Sequence, residues 1–216
     1  MIFKNTRNMK IFSLFNKKKD YYSQSGQDQF AYNLIGKNGT YLEVGAFDPI
    51  LNSNTYYLET KCDWKGLSIE FDISHKDAWN RTYERKNKIL WDNAFSVNYL
   101  KELNEIGISS KIDYLSCDIE PPENTFKILK SLIQLNLQFS FISYEHDKYN
   151  YGDKYEKLSK EFLINHGYKI AVDNVYSRNK KYKIYETWFI NDKIEFKQVD
   201  YQQWRDEYFS SSEFKA

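Results

Sequence analysis

Cysteine, proline and glycine are scarce in this chain of 216 residues, which has 2 Cys, 3 Pro and 8 Gly. Cys62 and Cys117 stand far apart, belong to no CxxC pair and build no disulfide framework, so a reducing, cytoplasmic setting is expected. The shortage of Pro and Gly excludes collagen-like, linker-like and low-complexity classes. No apolar run approaches the ~18 residues a membrane-spanning helix needs. Lys and Arg interrupt the apolar pieces of the first residues, so neither a transmembrane helix nor a cleaved signal is expected. Net charge is missing too, with 31 Lys and Arg against 30 Asp and Glu. No overall field recruits a polyanion, and no nucleic-acid partner is expected.

What the chain does have is aromatic residues, 18% of the total, within 41% hydrophobic residues. A core of that size excludes global disorder and suits one domain. Residues 1–20 form a basic arm with Lys4, Arg7, Lys10, Lys17, Lys18 and Lys19. The arm reads first as a mobile terminus, and second as an amphipathic segment for an anionic surface. Residues 21–216 read as a single domain without repeats or linkers.

Short β-type runs alternate with segments of helical spacing, which is α/β grammar. Strands are predicted at Thr40 to Val44, Leu67 to Glu70, Lys88 to Trp91, Ile112 to Cys117, Phe139 to Tyr144, Tyr168 to Val172 and Tyr185 to Asn191. Ser53, Ser74 with Asp77, and Ser96 are read as helix starts, Gly107 and Gly167 as helix stops, and Pro122 as a first-turn proline. No helix-length segment separates the last two strands, so they pair antiparallel at a sheet edge. The fold class is therefore α/β: a mostly parallel, seven-stranded sheet with helices on both faces and an antiparallel edge strand.

Ligands of such sheets bind beyond the carboxyl ends of the strands. Strand one ends in Glu43-Val44-Gly45-Ala46-Phe47-Asp48, and strand two ends at Glu70. Taken alone, Glu43-Val44-Gly45 is as well read as an ordinary strand end. Glu70 follows Gly45 by one βαβ step, which places an acid where it accepts hydrogen bonds from ribose hydroxyls. Nicotinamide cofactors need a G-x-G-x-x-G turn that is missing here, so a nucleoside without pyrophosphate, such as S-adenosylmethionine, fits better.

Several segments together resemble the FkbM-type S-adenosylmethionine-dependent methyltransferases. They are Ser23-Gln24-Ser25-Gly26-Gln27-Asp28, Tyr41 to Asp48, Ser53-Asn54-Thr55 with Leu58-Glu59, Trp64 to Glu70, Asp113 to Glu120, and Ile142-Ser143-Tyr144-Glu145-His146. The resemblance implies a Rossmann-like class I methyltransferase fold and an enzyme acting on hydroxyls of saccharides or related small molecules. It implies that Glu43, Gly45 and Ala46 belong to the cofactor loop and that Glu70 binds ribose. It also implies that Asp92 and Asn93 lie near adenine, that Asp118 lies near the methionine end, and that the segment with Gln24 folds over the cofactor, although Ser25 or Asp28 in that segment reads equally well as a cap of the helix through Phe30, Tyr32 and Leu34. Asn54, at a helix start, suits the cofactor carboxylate. Two departures stand out: Asp48-Pro49 and Glu120-Pro121 replace Asp-Gly and Glu-Gly, and each removes an amide donor.

A hydroxyl acceptor needs a proton acceptor, for which Asp118, Glu120, Glu145, His146 and Asp147 are available, His146 being the most economical because imidazole titrates near neutral pH. The bland reading of His146 is a solvated loop histidine. The catalytic set is thus His146, Glu120 and Asp118. A rival reading makes these acids and His146 a hard-metal site for a transferase or hydrolase, but no ligand spacing is diagnostic and no metal is assigned. A second rival is a non-catalytic Rossmann-like binding or assembly module.

Overall fold

A computed structural model describes residues 21–177 and 183–209, with the side chains of 207–209 left out of the account. The basic arm and most of the Lys-rich stretch after Ser177 lie outside the described residues.

Among the described residues, eight strands form one sheet in the order β3-β2-β1-β4-β5-β7-β6-β8. They are β1 Thr40–Val44, β2 Lys65–Glu70, β3 Lys88–Trp91, β4 Lys111–Cys117, β5 Gln138–Glu145, β6 Tyr168–Tyr176, β7 Ile184–Asn191 and β8 Val199–Asp200. The first five run parallel, and β7 is antiparallel to both β5 and β6. The antiparallel strand therefore lies inside the sheet, and the eighth strand, two residues paired parallel to β6, forms the edge. A two-residue strand carries no alternation to read, which is why the sequence predicts seven.

The helices are α1 Gln27–Ile35, α2 Tyr56–Cys62, α3 Lys76–Arg81, α4 Tyr99–Glu105, α5 Pro122–Gln134, α6 Lys148–Tyr151, α7 Lys154–Asn165 and α8 Tyr201–Phe209. Pro122 occupies the first turn of α5 as expected. Two expected caps shift: Asp72 accepts the Ser74 amide at 2.9 Å ahead of α3, and Asn98 accepts the Lys101 amide at 3.2 Å at the start of α4. Asp72 takes the amide of Ser74 itself in the short turn that precedes α3, and Asn98, two residues after Ser96, is the cap of α4.

The alternation of the strands divides the core. One face carries Leu42, Val44, Leu67, Ile69, Leu115, Cys117, Ile142 and Tyr144 against α4, α5 and α7. The other carries Tyr41, Tyr114, Phe141 and Trp188 against Phe30 of α1, Tyr57 and Leu58 of α2, and Tyr201 and Trp204 of α8. This second core is largely aromatic and accounts for the composition. Tyr114 stacks on Phe141 at 4.7 Å, and Trp188 meets Phe30 at 5.0 Å and Trp204 at 4.9 Å.

Gly45 leaves β1 with φ of 87°, in the region that favours glycine. A Cβ there would lie 1.6 Å from the Asp118 carbonyl oxygen, so the turns after β1 and β4 approach only because residue 45 has no side chain. Gly45→Ala is expected to destabilise the fold by more than about 2 kcal/mol, since backbone rather than a pliant side chain blocks the methyl group. Urea unfolding of the variant against the parent checks this; an unchanged midpoint would refute the close approach.

Candidate functional site

The register places two polar rows on one face of the sheet. Glu43 pairs with Ser68 on one side and Ser116 on the other, and Ser116 pairs with Ser143. Two residues further along each strand, toward the carboxyl ends, come Glu70, Gly45, Asp118 and Glu145. Period-two alternation returns these positions to the same face. Glu145 in turn pairs with Glu186 of β7. Four carboxylates thus line the edge, with Gly45 as the gap between Glu70 and Asp118.

The lower row is neutralised. The buried Glu43 carboxylate accepts from Ser68 Oγ at 2.7 Å and Thr55 Oγ1 at 2.9 Å, and faces Arg85 Nη2 at 3.5 Å. Burial pushes its pKa up and the guanidinium opposes that. Glu43 therefore supports the loop from below, where the sequence reading put it in the cofactor loop. Gly45 and Ala46 likewise spend their amides on the Ile69 carbonyl, at 3.0 and 3.1 Å, so their part is close approach rather than donation.

Among the described residues, no cation compensates the upper row. Glu145 is hydrogen-bonded to both Asp118 and Asp147, and Glu186 accepts from Gln27 Nε2 at 2.7 Å and Trp188 Nε1 at 2.9 Å. Burial, with Asp147, Glu120 and Glu70 nearby, pushes Asp118 up to about 6. Burial and Asp118 hold Glu145 well above the usual carboxylate range, and burial pushes Glu186 up to about 8. Among the described residues, no group of three or more His, Cys, Asp or Glu side chains converges to hold a metal ion, which leaves the metal reading without a ligand set.

Glu70 is nearly buried and accepts the Phe47 amide at 2.7 Å on Oε2 and the Asp72 amide at 2.7 Å on Oε1. Asn54 Nδ2 donates to Ser116 Oγ at 3.0 Å, while its Oδ1 is buried without a hydrogen-bond partner. Asp92 and Asn93 stand exposed at the rim, each accepting an amide of its own loop. Exposed Phe47, Phe71 and Phe95 follow β1, β2 and β3. Gln24 is half-buried on a segment that Ser23 bridges to Asn52 and that Ser25 and Gln27 tie to Tyr185 and Glu186. Glu120 is exposed beyond β4.

His146 is not with these groups. Alternation turns its side chain to the face opposite Glu145, and the imidazole is 0% exposed. Nδ1 accepts the Lys148 amide at 3.3 Å, which leaves the proton on Nε2 for Thr187 Oγ1 at 3.2 Å. Thr187 reaches Asp173, and Asp173, Lys160, Glu156 and Lys148 continue as a chain of ion pairs. Burial lowers the His146 pKa to about 4. The expected base is instead a buried support for the turn into α6.

Sequence reasoning passed over Arg85, Trp79 and Glu186. Arg85 sits in a charged run that reads as solvated surface. The repeated spacing Ser68-x-Glu70, Glu43-x-Gly45, Ser116-x-Asp118, Ser143-x-Glu145 is the signal that marks both rows.

No family model matches the sequence, and no curated protein matches it. Solved structures do share the fold. The Methanococcus jannaschii fibrillarin pre-rRNA processing protein has 16% identity and a TM-score of 0.53, over 78% of this chain and 77% of that one. Aeropyrum pernix fibrillarin, in complex with natively bound S-adenosyl-L-methionine, has 14% identity and a TM-score of 0.52, over 78% and 74%. Streptococcus pneumoniae Sp1610, a candidate tRNA (m1A22) methyltransferase, has 10% identity and a TM-score of 0.50, over 78% and 71%. The fold is that of S-adenosylmethionine-dependent methyltransferases. These neighbours correct the expectation that nucleic acid is no partner: it rested on a net charge of +1, and this fold serves a pre-rRNA processing protein. Among the described residues no helix is long and apolar enough to cross a membrane.

Because His146 has a folded pKa of about 4, below the ordinary imidazole value, it favours the fold when neutral. Its contribution is full above about pH 6.5 and is lost as pH falls toward 4. Thermal melts from pH 7 to 4 are expected to show a smaller pH-dependent loss in His146→Ala than in the parent; parallel losses would contradict this.

Proposed function

We propose that this chain is an S-adenosylmethionine-dependent O-methyltransferase that transfers a methyl group to a hydroxyl of a saccharide or related small molecule, with residues 21–216 as its methyltransferase-like domain. The observation that carries the reading is the carboxylate edge at the ends of β2, β4, β5 and β7, which suits a cationic ligand. The resemblance to the FkbM-type family supports the hydroxyl acceptor.

The residues fit the cofactor. Glu70 suits the ribose hydroxyls, since each carboxylate oxygen holds one amide and keeps a lone pair. Asn54 Oδ1, buried and unpartnered, offers an acceptor to a donor of the ligand. Asp92, Asn93 and the exposed Phe71 suit the adenine, Asp118 the amino-acid end, and Gln24 the outer cover. Glu43, Gly45 and Ala46 act by shaping the turn. Bound there, S-adenosylmethionine supplies an electrophilic methyl group on a sulfonium, and the protein's work is alignment. Asp118, Glu120, Glu145 and Asp147 are the groups that can take up the proton of the acceptor hydroxyl, in place of His146. RNA, named by the pre-rRNA processing neighbour, is the second acceptor class.

Calorimetry with S-adenosylmethionine and S-adenosylhomocysteine tests the cofactor. Glu70→Ala is expected to weaken both by more than ~1.4 kcal/mol, a tenfold change. Asp118 and Glu186, at about 6 and about 8, ionise as pH rises through this range. The sulfonium ligand is therefore expected to gain affinity relative to its neutral-sulfur product by several-fold between pH 6 and 8, and a flat ratio would remove the electrostatic argument. Labelled-methyl transfer to a saccharide panel and to total RNA in parallel then assigns the acceptor; label confined to RNA would shift the reading to the second class.

A further inference from the structure

Two side chains that the proposed reaction does not use hold the turn after β1 from outside. Trp79 Nε1 donates to the Phe47 carbonyl at 2.8 Å. Arg85 Nη1 donates to the Pro49 carbonyl and to Ser53 Oγ, each at 3.1 Å. The guanidinium lies 4.3 Å over the Trp79 ring, so the two grips form one stacked unit. Arg85 is anchored in turn by Glu59, at 2.7 Å from Nε, and by Glu43. The turn is thus tied at its start, middle and end.

The need for such ties is visible in the backbone. Phe47 has φ of 47°, a left-handed conformation that costs a bulky residue energy and persists only when its surroundings impose it. The amide of the same residue donates to Glu70 Oε2. Loosening the Phe47 carbonyl would release the amide on the other side of the same residue, and with it the orientation of the Glu70 carboxylate.

We propose that Trp79 and Arg85 are positioning residues that set the affinity of this chain for a nucleoside with a vicinal diol, by clamping residues 47–53 and through them Glu70. The ligand in this statement rests on the function proposed above; the clamp rests on the geometry alone. Pro49 belongs to the same logic. It lacks an amide to offer a ligand, but its carbonyl is the acceptor that Arg85 grips.

The informative variant is Trp79→Phe, which keeps an aromatic ring under the guanidinium and removes only the N–H. Calorimetry with S-adenosylhomocysteine and amide hydrogen exchange over residues 47–53 are read together, with Arg85→Lys as a second variant. The expected result is roughly tenfold weaker binding and at least roughly tenfold faster exchange in that segment, with exchange elsewhere in the sheet unchanged. Unchanged affinity in Trp79→Phe overturns the proposal, as does an equal rise in exchange throughout the sheet, which would mark plain loss of stability. If the parent does not bind the nucleoside, the function proposed above fails. The clamp is then decided by exchange: faster exchange confined to 47–53 supports it and unchanged protection overturns it.

Discussion

A carboxylate in the central strand of a sheet is tolerable only with a partner, and the Glu43–Arg85 pair is the interaction on which this half of the molecule depends. Moving a charge from water into a protein interior costs several kcal/mol, so Glu43 without Arg85 would be protonated or the strand displaced. Arg85 repays the cost through a fan of bonds rather than one contact: Glu43 and Glu59 by charge, Thr55 and Ser53 by hydroxyl, Pro49 by carbonyl, and Trp79 by its ring face. The guanidinium's planar fork makes this possible where a lysine's point charge would not. Because those partners belong to β1, the following turn, α2 and α3, one residue fixes how four pieces of chain meet beneath the site.

Directly above that pair the rule is broken. The next row along the same strands holds Glu70, Asp118, Glu145 and Glu186 with no matching cation among the described residues, and Asp118 and Glu186 sit at about 6 and about 8 because burial and mutual repulsion resist their ionisation. A fold that pairs one row so thoroughly and leaves its neighbour resisting ionisation invites a cationic ligand that completes the second row. Perturbed groups gathered at strand ends are a physical signature of a binding site, and the sign of the missing charge is positive.

Much of this was legible in the amino acids. Seven strand cores are readable because β-branched and aromatic runs are bounded by polar or glycine residues, and the parallel order follows from crossover length. Less legible were features that depend on a partner distant in sequence. Arg85 lies in Thr82-Tyr83-Glu84-Arg85-Lys86-Asn87, which has the composition of solvated surface, and nothing local separates the buried Arg85 from the exposed Glu84. The helix starts expected at Ser74 and Ser96 differ for another reason: Asp72 begins a short turn ahead of α3 by accepting the Ser74 amide, and Asn98, two residues after Ser96, caps α4. His146 is a different case: period-two alternation puts it on the face opposite Glu145, so direction along the strand says more about its place than titration range does.

That separation of faces also shapes the proposed chemistry. With the imidazole committed to the turn into α6, the titratable groups at the strand ends are, among the described residues, carboxylates. Under the proposed transfer the ionised carboxylates first offset the positive charge of the bound sulfonium. S-adenosylmethionine, if bound there, would supply the methyl group, and a carboxylate of this edge would be placed to take up the proton of the acceptor hydroxyl. A group held near pH 6, as Asp118 is, is basic enough to accept that proton and acidic enough to pass it to water afterwards. Row and ligand together would then keep the same total charge, the proton taken up by the row matching the positive charge the ligand would give up. A fixed cation such as a lysine at this edge would upset that balance by competing with the ligand for the carboxylates.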